Sequence, residues 1–375
     1  MLCYKLPYDF KFRAKIVKIT GNELILDKTL FFPGGGGQSC DTGKIGDALV
    51  RNVYLSGENI IHVVNSHNFN EGTETDCELD WNRRYNLMKA HTGEHLFFGE
   101  LQRVIPGLDV VKVLISPEKK SVFVTGSNVD WETLRVVQRK VNEKIRQGAN
   151  VTESYYTEDE LKTRPEIRVK LEKIKSQSIR VINIGDFDFA ACSGIHIKNI
   201  REIGFFLVTH LRRSGQTTEI EFEIDEKAET LALDYSSYTL HASSILNCEL
   251  DKLPVSLNNL RLSELRLLHS IKIHTRYILN TLQPEQYNDF NIYMFVGPDI
   301  DRKAANEKIL EWIKEPRTIA IICSIGESTI ITVACNENLP FNCPKILNEV
   351  LSQFRGKGGG KKNFASGGAQ NIDVN

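Results

Sequence analysis

The sequence predicts a multidomain α+β protein with four successive regions. These are an N-terminal small β-barrel, an α+β domain, a helical hairpin that serves as a linker, and a C-terminal α/β domain. Two observations support this prediction. A chain of 375 residues is too long for one ordinary core, and its apolar pattern alternates between strand and helix periods. The 41% apolar and 25% charged residues are typical of a soluble globular protein.

Residues 1–80 are expected to form the β-barrel. Short stretches with alternating apolar residues, such as FRAKIVKIT and GNELILDKTLFF, are separated by turns rich in glycine, asparagine and aspartate. This is typical of closely spaced antiparallel strands. The glycine-rich stretch PGGGGQSCDTG lies within this region.

Residues 81–225 are expected to form the α+β domain. Apolar residues from Trp81 to Phe97 recur at helical spacing, which predicts a helix carrying His91 and His95. A second, amphipathic helix is predicted from Trp131 to Gln147, with strands after it. The charged segment from Leu161 to Gln177 is expected to be helical or looped.

Residues 226–285 are expected to form the helical hairpin, with its break at Leu253-Pro254-Val255. Residues 286–375 then alternate strand and helix patterns, which predicts the α/β domain. This part closes with GKGGGKKNFASGGAQN.

Two pairs of metal-ligand residues have the same four-residue spacing. One is His91-Thr-Gly-Glu-His95 and the other is Cys192-Ser-Gly-Ile-His196. Spacing i, i+4 puts two side chains on one face of a helix, and imidazole and thiolate are ligands that zinc prefers. We therefore expect one zinc ion held by these four residues. Four protein ligands would make the site structural, whereas release of His196 in favour of water would make it catalytic.

The first pair also satisfies the H-x-x-E-H pattern of an inverted zinc-peptidase motif, with Glu94 as general base. That alternative needs a distant glutamate as third ligand and leaves Cys192 without a role. We consider it the weaker interpretation.

Two glycine-rich segments suggest contact with a ligand. The first, Gly34 to Gln38, is followed by Ile45 where a phosphate-binding P-loop needs serine or threonine, so ATP binding is not expected. A tight hairpin turn would explain its four glycines, but close approach of backbone to a ligand explains them better. The second segment supplies positive charge for a phosphodiester backbone, or is a flexible tail; its basic residues are Arg355, Lys357, Lys361 and Lys362.

Composition narrows the cellular setting. Eight cysteines without C-x-x-C pairs indicate reduced thiols rather than a disulfide framework. The chain begins without a sustained apolar stretch, so we expect a cytoplasmic protein that does not enter a membrane. A net charge of −1 excludes a globally basic nucleic-acid coat protein.

These motifs together resemble one family. The H-x-x-x-H and C-x-x-x-H pairs look like the editing domain shared by alanyl- and threonyl-tRNA synthetases. FFPGGGGQSCDTG is similar to the element F-Y-P-x-G-G-G-Q-x-x-D-x-G on the alanyl side, and GKGGGKKNFASGGAQ to the end of the DHH-associated C-terminal domain. We expect that no aminoacylation domain precedes residue 1, and on that expectation the chain resembles a freestanding alanyl-tRNA editing protein of the long type.

The resemblance implies hydrolysis of mischarged tRNA(Ala), chiefly Ser-tRNA(Ala) and in some members Gly-tRNA(Ala). It implies one zinc ion at His91, His95, Cys192 and His196, with the first three in catalysis. It also implies that residues 81–225 are the editing domain and that residues 286–375 bind tRNA or form a homodimer. The polar or glycine residues near the motifs are the expected substrate contacts: Gly35, Gly36, Gly37, Gln38, Thr92, Asp188 and Ser193.

One departure from the family pattern concerns the second pair. The family usually has C-G-G-T-H, whereas Ser193 and Ile195 stand at two of these positions here. Ile195 has no hydroxyl, so any polar contact that the family's threonine makes is absent here. A non-catalytic tRNA-binding module with structural zinc stays open as an alternative function.

Overall fold

The computed structural model describes residues 1–170, 177–298, 300–326 and 328–370. The chain divides into two compact units, Met1–Tyr238 and Thr239–Asn375. Of the charged segment expected between Leu161 and Gln177, residues 171–176 lie outside the described part. Among the described helices, none combines the length and apolar character that a membrane span requires.

The first unit begins with a short helix, α1 (Leu2–Lys5), and a closed six-stranded barrel. Its strand order is β1-β2-β5-β4-β3-β6. Buried Ala14 and Ile16 alternate with exposed Arg13 and Lys15 in the first strand, as expected for a barrel wall with a filled interior. The predicted barrel is confirmed; its strands are β1 (Lys11–Thr20), β2 (Glu23–Leu26), β3 (Gly43–Ile45), β4 (Ala48–Ser56), β5 (Asn59–Val64) and β6 (Glu74–Leu79).

The helix α2 (Trp81–Val104) follows the barrel and forms the centre of the main core. Asp80 caps its N-terminus, because the Asp80 carboxylate accepts a hydrogen bond from the backbone N–H of Arg83. Phe97 of this helix stacks on Phe206, with ring centroids 5.1 Å apart. The helix predicted for His91 and His95 is thereby confirmed.

In the described part of this unit, two antiparallel sheets and two further helices follow. One sheet has the order β11-β10-β9 and the other β12-β13-β8-β7. The bounds of α3 match the predicted amphipathic helix. These elements are β7 (Asp109–Ile115), β8 (Lys120–Thr125), α3 (Trp131–Gln147), β9 (Val151–Tyr156), α4 (Glu158–Lys162), β10 (Ile179–Ile184), β11 (Asp188–Ala191), β12 (Phe206–Ser214) and β13 (Thr217–Ile224).

Two long helices follow, α5 (Asp225–Leu246) and α6 (Leu253–Thr281). The break between them lies at residues 247–252 and includes a 3-10 turn, Leu250–Lys252. Pro254 is therefore not the break that the sequence suggested. It lies in the first turn of α6, where its missing N–H would have no helical partner.

Within the described residues, the rest of the second unit is a six-stranded sheet with two helices. Its strand order is β14-β15-β16-β17-β19-β18, and among these strands only β15 and β16 pair in parallel. The second glycine-rich segment of the sequence, residues 357–370, forms the paired strands β18 and β19. It is therefore an ordered hairpin and not the flexible tail considered as an alternative. The elements are β14 (Glu285–Tyr287), β15 (Phe290–Pro298), α7 (Arg302–Trp312), β16 (Thr318–Ile325), β17 (Ser328–Cys335), α8 (Cys343–Ser352), β18 (Lys357–Lys361) and β19 (Phe364–Gln370).

Candidate metal centre

The first ligand pair is held rigidly by α2. His91 and His95 lie one helical turn apart with ring centroids 5.3 Å from each other. Their exposed fractions are 1% and 5%. Because the surrounding turns of α2 are buried in the main core, neither imidazole can leave without disturbing that core.

The second pair lies in a loop, and the expectation that its spacing reflects a helical face is wrong. Residues 192–198 have no helical or strand structure and connect β11 to a 3-10 turn, Ile200–Ile203. The backbone carbonyls that would accept hydrogen bonds within a helix are engaged by side chains. Arg180 donates to the carbonyls of Cys192 (3.2 Å) and Gly194 (2.7 Å).

All four predicted ligands nevertheless converge. One ligand atom from each of His91, His95, Cys192 and His196 lies within 4.8 Å of the others. Cys192 Sγ is 3.4 Å from His91 Nε2 and 3.5 Å from His196 Nε2. The side chains of all three histidines are buried.

Each histidine is oriented by a different polar side chain at its Nδ1 atom. Gln38 Oε1 is 2.8 Å from His91 Nδ1, and Thr92 Oγ1 is 3.1 Å from His196 Nδ1. Asp188 Oδ2 is 3.3 Å from His95 Nδ1. The three partners are thus an amide, a hydroxyl and a carboxylate.

The other contacts of these partners fix which histidine nitrogen carries a proton. Gln38 Oε1 also accepts the N–H of Ile195 at 3.0 Å, so it acts as an acceptor. Thr92 Oγ1 donates its only hydrogen to the carbonyl of Met88 at 2.9 Å and must accept from His196. The Asp188 carboxylate can only accept. Each Nδ1 therefore carries a hydrogen, so Nε2 is the atom through which each ring, once neutral, would bind a metal ion.

The charge state of the fourth ligand suits a cation. Burial opposes ionisation of Cys192, but the facing imidazoles of His91 and His95 outweigh it and hold the thiol pKa well below its ordinary value. Burial lowers the pKa of His196 to about 3, so this ring stays neutral. Burial opposes protonation of His95, but the Cys192 thiolate and the Asp188 carboxylate outweigh it and raise the pKa of this ring to about 10. Metal binding requires a thiolate and neutral imidazoles, so an incoming ion would displace a proton from His95.

Asp188 is held as a carboxylate by a second partner. Arg168 donates to both of its oxygens, at 2.9 and 2.6 Å. Burial would raise the pKa of Asp188, but Arg168 and His95 together lower it below the ordinary value. Asp188 is 4% exposed, so this ion pair keeps a buried charge satisfied.

The donor set fits zinc. Bonds of about 2.3 Å to sulfur and 2.0 to 2.1 Å to nitrogen in a tetrahedral shell put sulfur and nitrogen about 3.6 Å apart. The observed separations of 3.4 and 3.5 Å are close to this. Glu94, the base of the alternative peptidase motif, is buried beside these residues but does not belong to the group of four.

The glycine-rich segment forms a tight turn against the centre. Gly35 and Gln38 exchange two backbone hydrogen bonds of 3.0 Å. The φ angles of Gly34 to Gly37 lie between 62° and 146°, a region that favours glycine. The turn accounts for all four glycines, so the expected ligand is not needed to explain them, and their contact with substrate stays a prediction.

The remaining predicted residues lie in different settings. Ser193 is exposed, whereas Ile195, at the other departure from the family pattern, is 1% exposed and packs in the main core. In the second unit, the four basic residues are all exposed along or next to β18: Arg355, Lys357, Lys361 and Lys362.

Sequence reasoning did not identify four residues that support the centre. Arg168 binds the Asp188 carboxylate, and Arg180 binds the Gly194 carbonyl. Tyr4 and Tyr8 hold the second ligand loop from the N-terminus. The tyrosines are 189 and 190 residues from their backbone partners in that loop. No local pattern marks such contacts.

Comparison with family models gives three matches along the chain. Residues 2–83 match the class II (A) tRNA synthetase model. Residues 179–231, which include Cys192 and His196, match the threonyl and alanyl tRNA synthetase second additional domain. Residues 288–375 match the DHHA1 domain.

Curated relatives match almost the whole chain. The alanine–tRNA ligase of Pyrococcus abyssi is 27% identical over 397 residues, which cover 99% of this chain and 42% of the ligase. That of Saccharolobus islandicus (strain M.14.25) is 30% identical over 96% of this chain and 41% of the ligase. The alanyl-tRNA editing protein AlaX-L of Pyrococcus horikoshii is 26% identical over 97% of this chain and 93% of its own length.

The chain thus spans less than half of the ligases but nearly all of the editing protein. Its ligand pairs and its two glycine-rich segments had predicted this relationship from the sequence. The resemblance to alanyl-tRNA editing proteins and alanyl-tRNA synthetases is confirmed along nearly the entire chain.

Proposed function

We propose that this protein is an aminoacyl-tRNA deacylase that edits mischarged tRNA(Ala) in trans at a zinc centre. Ser-tRNA(Ala) is the principal proposed substrate and Gly-tRNA(Ala) the second. The observation that carries the proposal is the convergence of a thiolate with three histidines whose Nδ1 atoms are all engaged. The name of the AlaX-L relative supports the reaction class.

His91, His95, Cys192 and His196 would hold the ion. A bound zinc ion supplies a Lewis acid, which favours ionisation of water or polarises an ester carbonyl. An aminoacyl ester is already activated, so its hydrolysis needs a positioned water and stabilisation of developing negative charge rather than a covalent nucleophile. Whether all four residues stay bound during the reaction decides between a structural and a catalytic ion.

The chain's own residues then divide into two roles. The hydroxyl of Thr92 and the carboxylate of Asp188 are engaged by histidines, so we propose that they act on the substrate indirectly, by orienting the ligands. Gln38 does the same through Oε1, but its buried Nε2 amide has no hydrogen-bond partner among the described residues. That donor remains for the substrate.

Direct contact with the aminoacyl group is proposed for the exposed Ser193 and the adjoining turn. A Cβ atom added to Gly35 or Gly36 would lie 3.3 Å from Ser193 Oγ, so backbone and hydroxyl adjoin each other there. Serine differs from alanine by one hydroxyl. A polar surface that hydrogen-bonds this hydroxyl would lose partners when alanine enters, which is the basis proposed for discrimination.

Deacylation of Ser-, Gly- and Ala-tRNA(Ala) by zinc-loaded protein tests the proposal. We expect release of serine, slower release of glycine, and no release of alanine above background. Cys192→Ala should lose zinc and activity together. Cys323→Ala, a half-buried cysteine in β16, is the matched control and should retain both.

Three outcomes would contradict the proposal in different ways. Hydrolysis that persists in zinc-free Cys192→Ala would exclude a catalytic role for the ion. Tight binding of tRNA without ester cleavage would identify a non-catalytic tRNA-binding module. Cleavage of peptides that is abolished by Glu94→Gln would identify a peptidase.

For the second unit we propose tRNA binding and a homodimer. The exposed basic residues at β18 would contact phosphates, so tRNA affinity should fall with salt and less steeply in Lys357→Gln/Lys361→Gln. Exposed apolar side chains on one face of α6, including Leu257, Leu268 and Ile271, suit burial against a second copy. Sedimentation of the full chain would test this association.

We retain 1–80, 81–225, 226–285 and 286–375 as the proposed domain boundaries.

A further inference from the structure

The N-terminal segment contacts the loop that carries Cys192 and His196. Tyr4 of α1 donates a hydrogen bond to the carbonyl of Ser193 at 2.8 Å. The ring of Tyr4 lies over the guanidinium of Arg180, with 4.3 Å between Cζ and the ring centroid. Arg180 in turn binds the carbonyls of Cys192 and Gly194. Three consecutive carbonyls beside the thiolate are therefore held by two side chains.

The same segment reaches the far end of the loop through a second tyrosine. The hydroxyl of Tyr8 accepts the backbone N–H of Lys198 at 2.8 Å and donates to Glu202 at 2.6 Å. Tyr85 of α2 also donates to Glu202, at 2.8 Å. Lys198 follows His196 by two residues, so Tyr8 fixes the loop directly after its last ligand.

The segment has its own attachments to the protein. Cys3 is completely buried in the main core. The carbonyl of Pro7 accepts a hydrogen bond of 3.2 Å from Arg84, a fully buried residue of α2. Because the segment is fixed at Cys3 and Pro7, the two tyrosines between and beside these anchors present their hydroxyls at set positions.

We propose that Tyr4 and Tyr8 are positioning residues which hold the Cys192–His196 loop in its ligand geometry. The loop has no regular structure of its own, so its order depends on such contacts, because each residue that becomes ordered loses backbone entropy. Held at residues 193 and 198, the loop presents Cys192 and His196 to α2 before any ion arrives. Pre-organisation of this kind slows the release of a bound ion.

The test removes one hydroxyl at a time from the full-length protein. Tyr4→Phe and Tyr8→Phe keep the rings, and Tyr54→Phe is the matched control, because Tyr54 donates a similar 2.7 Å bond to Glu23 within the barrel. Zinc release into excess chelator and the thiolate charge-transfer band of the cobalt-loaded protein report the ligand geometry. Hydrogen exchange of amides 193–198 reports the loop itself.

Each loop variant should release zinc about five-fold faster than wild type, as expected for the loss of one hydrogen bond. The double variant should release it about 25-fold faster if the two contacts are independent. The cobalt band should shift in both single variants but not in Tyr54→Phe. Amides 193–198 should lose protection only in the loop variants.

Release rates, spectra and exchange equal to those of Tyr54→Phe would overturn the proposal. The metal readouts rest on the function proposed above, whereas hydrogen exchange does not. If the protein bound no metal, the proposed function would fail, and exchange at residues 193–198 would still decide the role of the tyrosines. If it bound zinc but did not cleave Ser-tRNA(Ala), all three readouts would still apply.

Discussion

The two halves of the metal centre are built in different ways. The half on α2 is a continuous helix whose backbone hydrogen bonds are local and whose ligands His91 and His95 are one turn apart. The half at residues 192–198 has no regular structure and is held by side chains from β10, the N-terminal segment and the glycine turn. The first half depends on neighbours in sequence. The second depends on residues between 12 and 190 positions away.

This difference explains why equal spacing has different structural meanings. In the first pair, i, i+4 reflects the period of a helix. In the second pair, the same spacing occurs in an irregular loop. Hydrogen bonds from this loop to Gln38, Arg180 and Tyr4 hold it in a conformation in which Cys192 and His196 lie close together. Changes in the loop half should therefore disturb metal binding more than chemically identical changes in the helix half.

Two glycines give the largest contrast. A Cβ added to Gly194 would lie 2.1 Å from His91 Cε1, so Gly194→Ala must displace the ring or the loop. We expect zinc affinity to fall about 100-fold or more, since overpacking of this kind costs up to about 3 kcal/mol or beyond. A Cβ on Gly93 would meet only ordinary contacts of 3.4 to 3.7 Å, and alanine favours a helix by up to about 1 kcal/mol. Chelator competition should show near wild-type affinity for Gly93→Ala; equal affinities in both variants would contradict the contrast.

The barrel contains a buried histidine outside the metal centre, and its protonation should lower the stability of the fold in acid. His62 is fully buried, with Nδ1 3.1 Å from the Leu24 carbonyl and Nε2 2.8 Å from Thr29 Oγ1. Burial lowers its pKa to about 4 in the folded protein, against about 6.5 in the unfolded chain. The neutral ring therefore stabilises the fold fully above pH 6.5, and this contribution is lost as pH falls toward 4, by about 3 kcal/mol.

Urea unfolding between pH 7 and 4 measures this effect. His62→Gln should have a shallower loss of stability with acid than wild type, and the loss that remains should come from other groups, the metal ligands among them. If the free energies of unfolding of the two proteins changed equally with pH, His62 would have the same pKa in the folded and unfolded states, which would contradict this prediction.

The histidine partners should show an intermediate effect. Gln38→Met and Asp188→Asn should each weaken zinc binding by about 10- to 100-fold, as expected for loss of an outer partner of a ligand. Gln38 touches both halves, through His91 and the N–H of Ile195, whereas Asp188 touches only His95 among the ligands. Hydrogen exchange at Ile195 should therefore rise in Gln38→Met alone. Gln38→Glu keeps the acceptor oxygen and should retain protection there; failure of that rescue would argue against the bridging role.

The smallest effect should come from the cap of α2. Asp80→Ala removes the carboxylate that accepts the N–H of Arg83 at 3.0 Å. Stability measured by urea unfolding should fall by about 1 kcal/mol. Zinc release should not change, because the ligands lie three and four turns beyond the cap. A change in the rate of zinc release would show that a disturbance at the N-terminus of α2 reaches His91 and His95, so that this helix does not hold them rigidly.

The sequence was informative where structure is local. The periods of apolar residues predicted the barrel strands, α2 and the bounds of α3, and the residue types predicted the four convergent side chains. It did not show that residues 192–198 form a loop, nor that Thr92, Gln38 and Asp188 face the histidines. Those facts depend on contacts between distant segments, such as Tyr4 with Ser193, and no periodicity encodes them.

The position of β18 at the sheet edge has a consequence for self-association. Its outer side presents backbone N–H and C=O groups along five residues, three of them glycine, which is a template for strand addition. Antiparallel pairing with the same strand of another molecule would put Lys357 opposite Lys361, and like charges directly opposite are destabilising. The lysines thus disfavour strand addition and aggregation at this edge. Their neutralisation should therefore lower the solubility of the protein, independently of any effect on nucleic-acid binding.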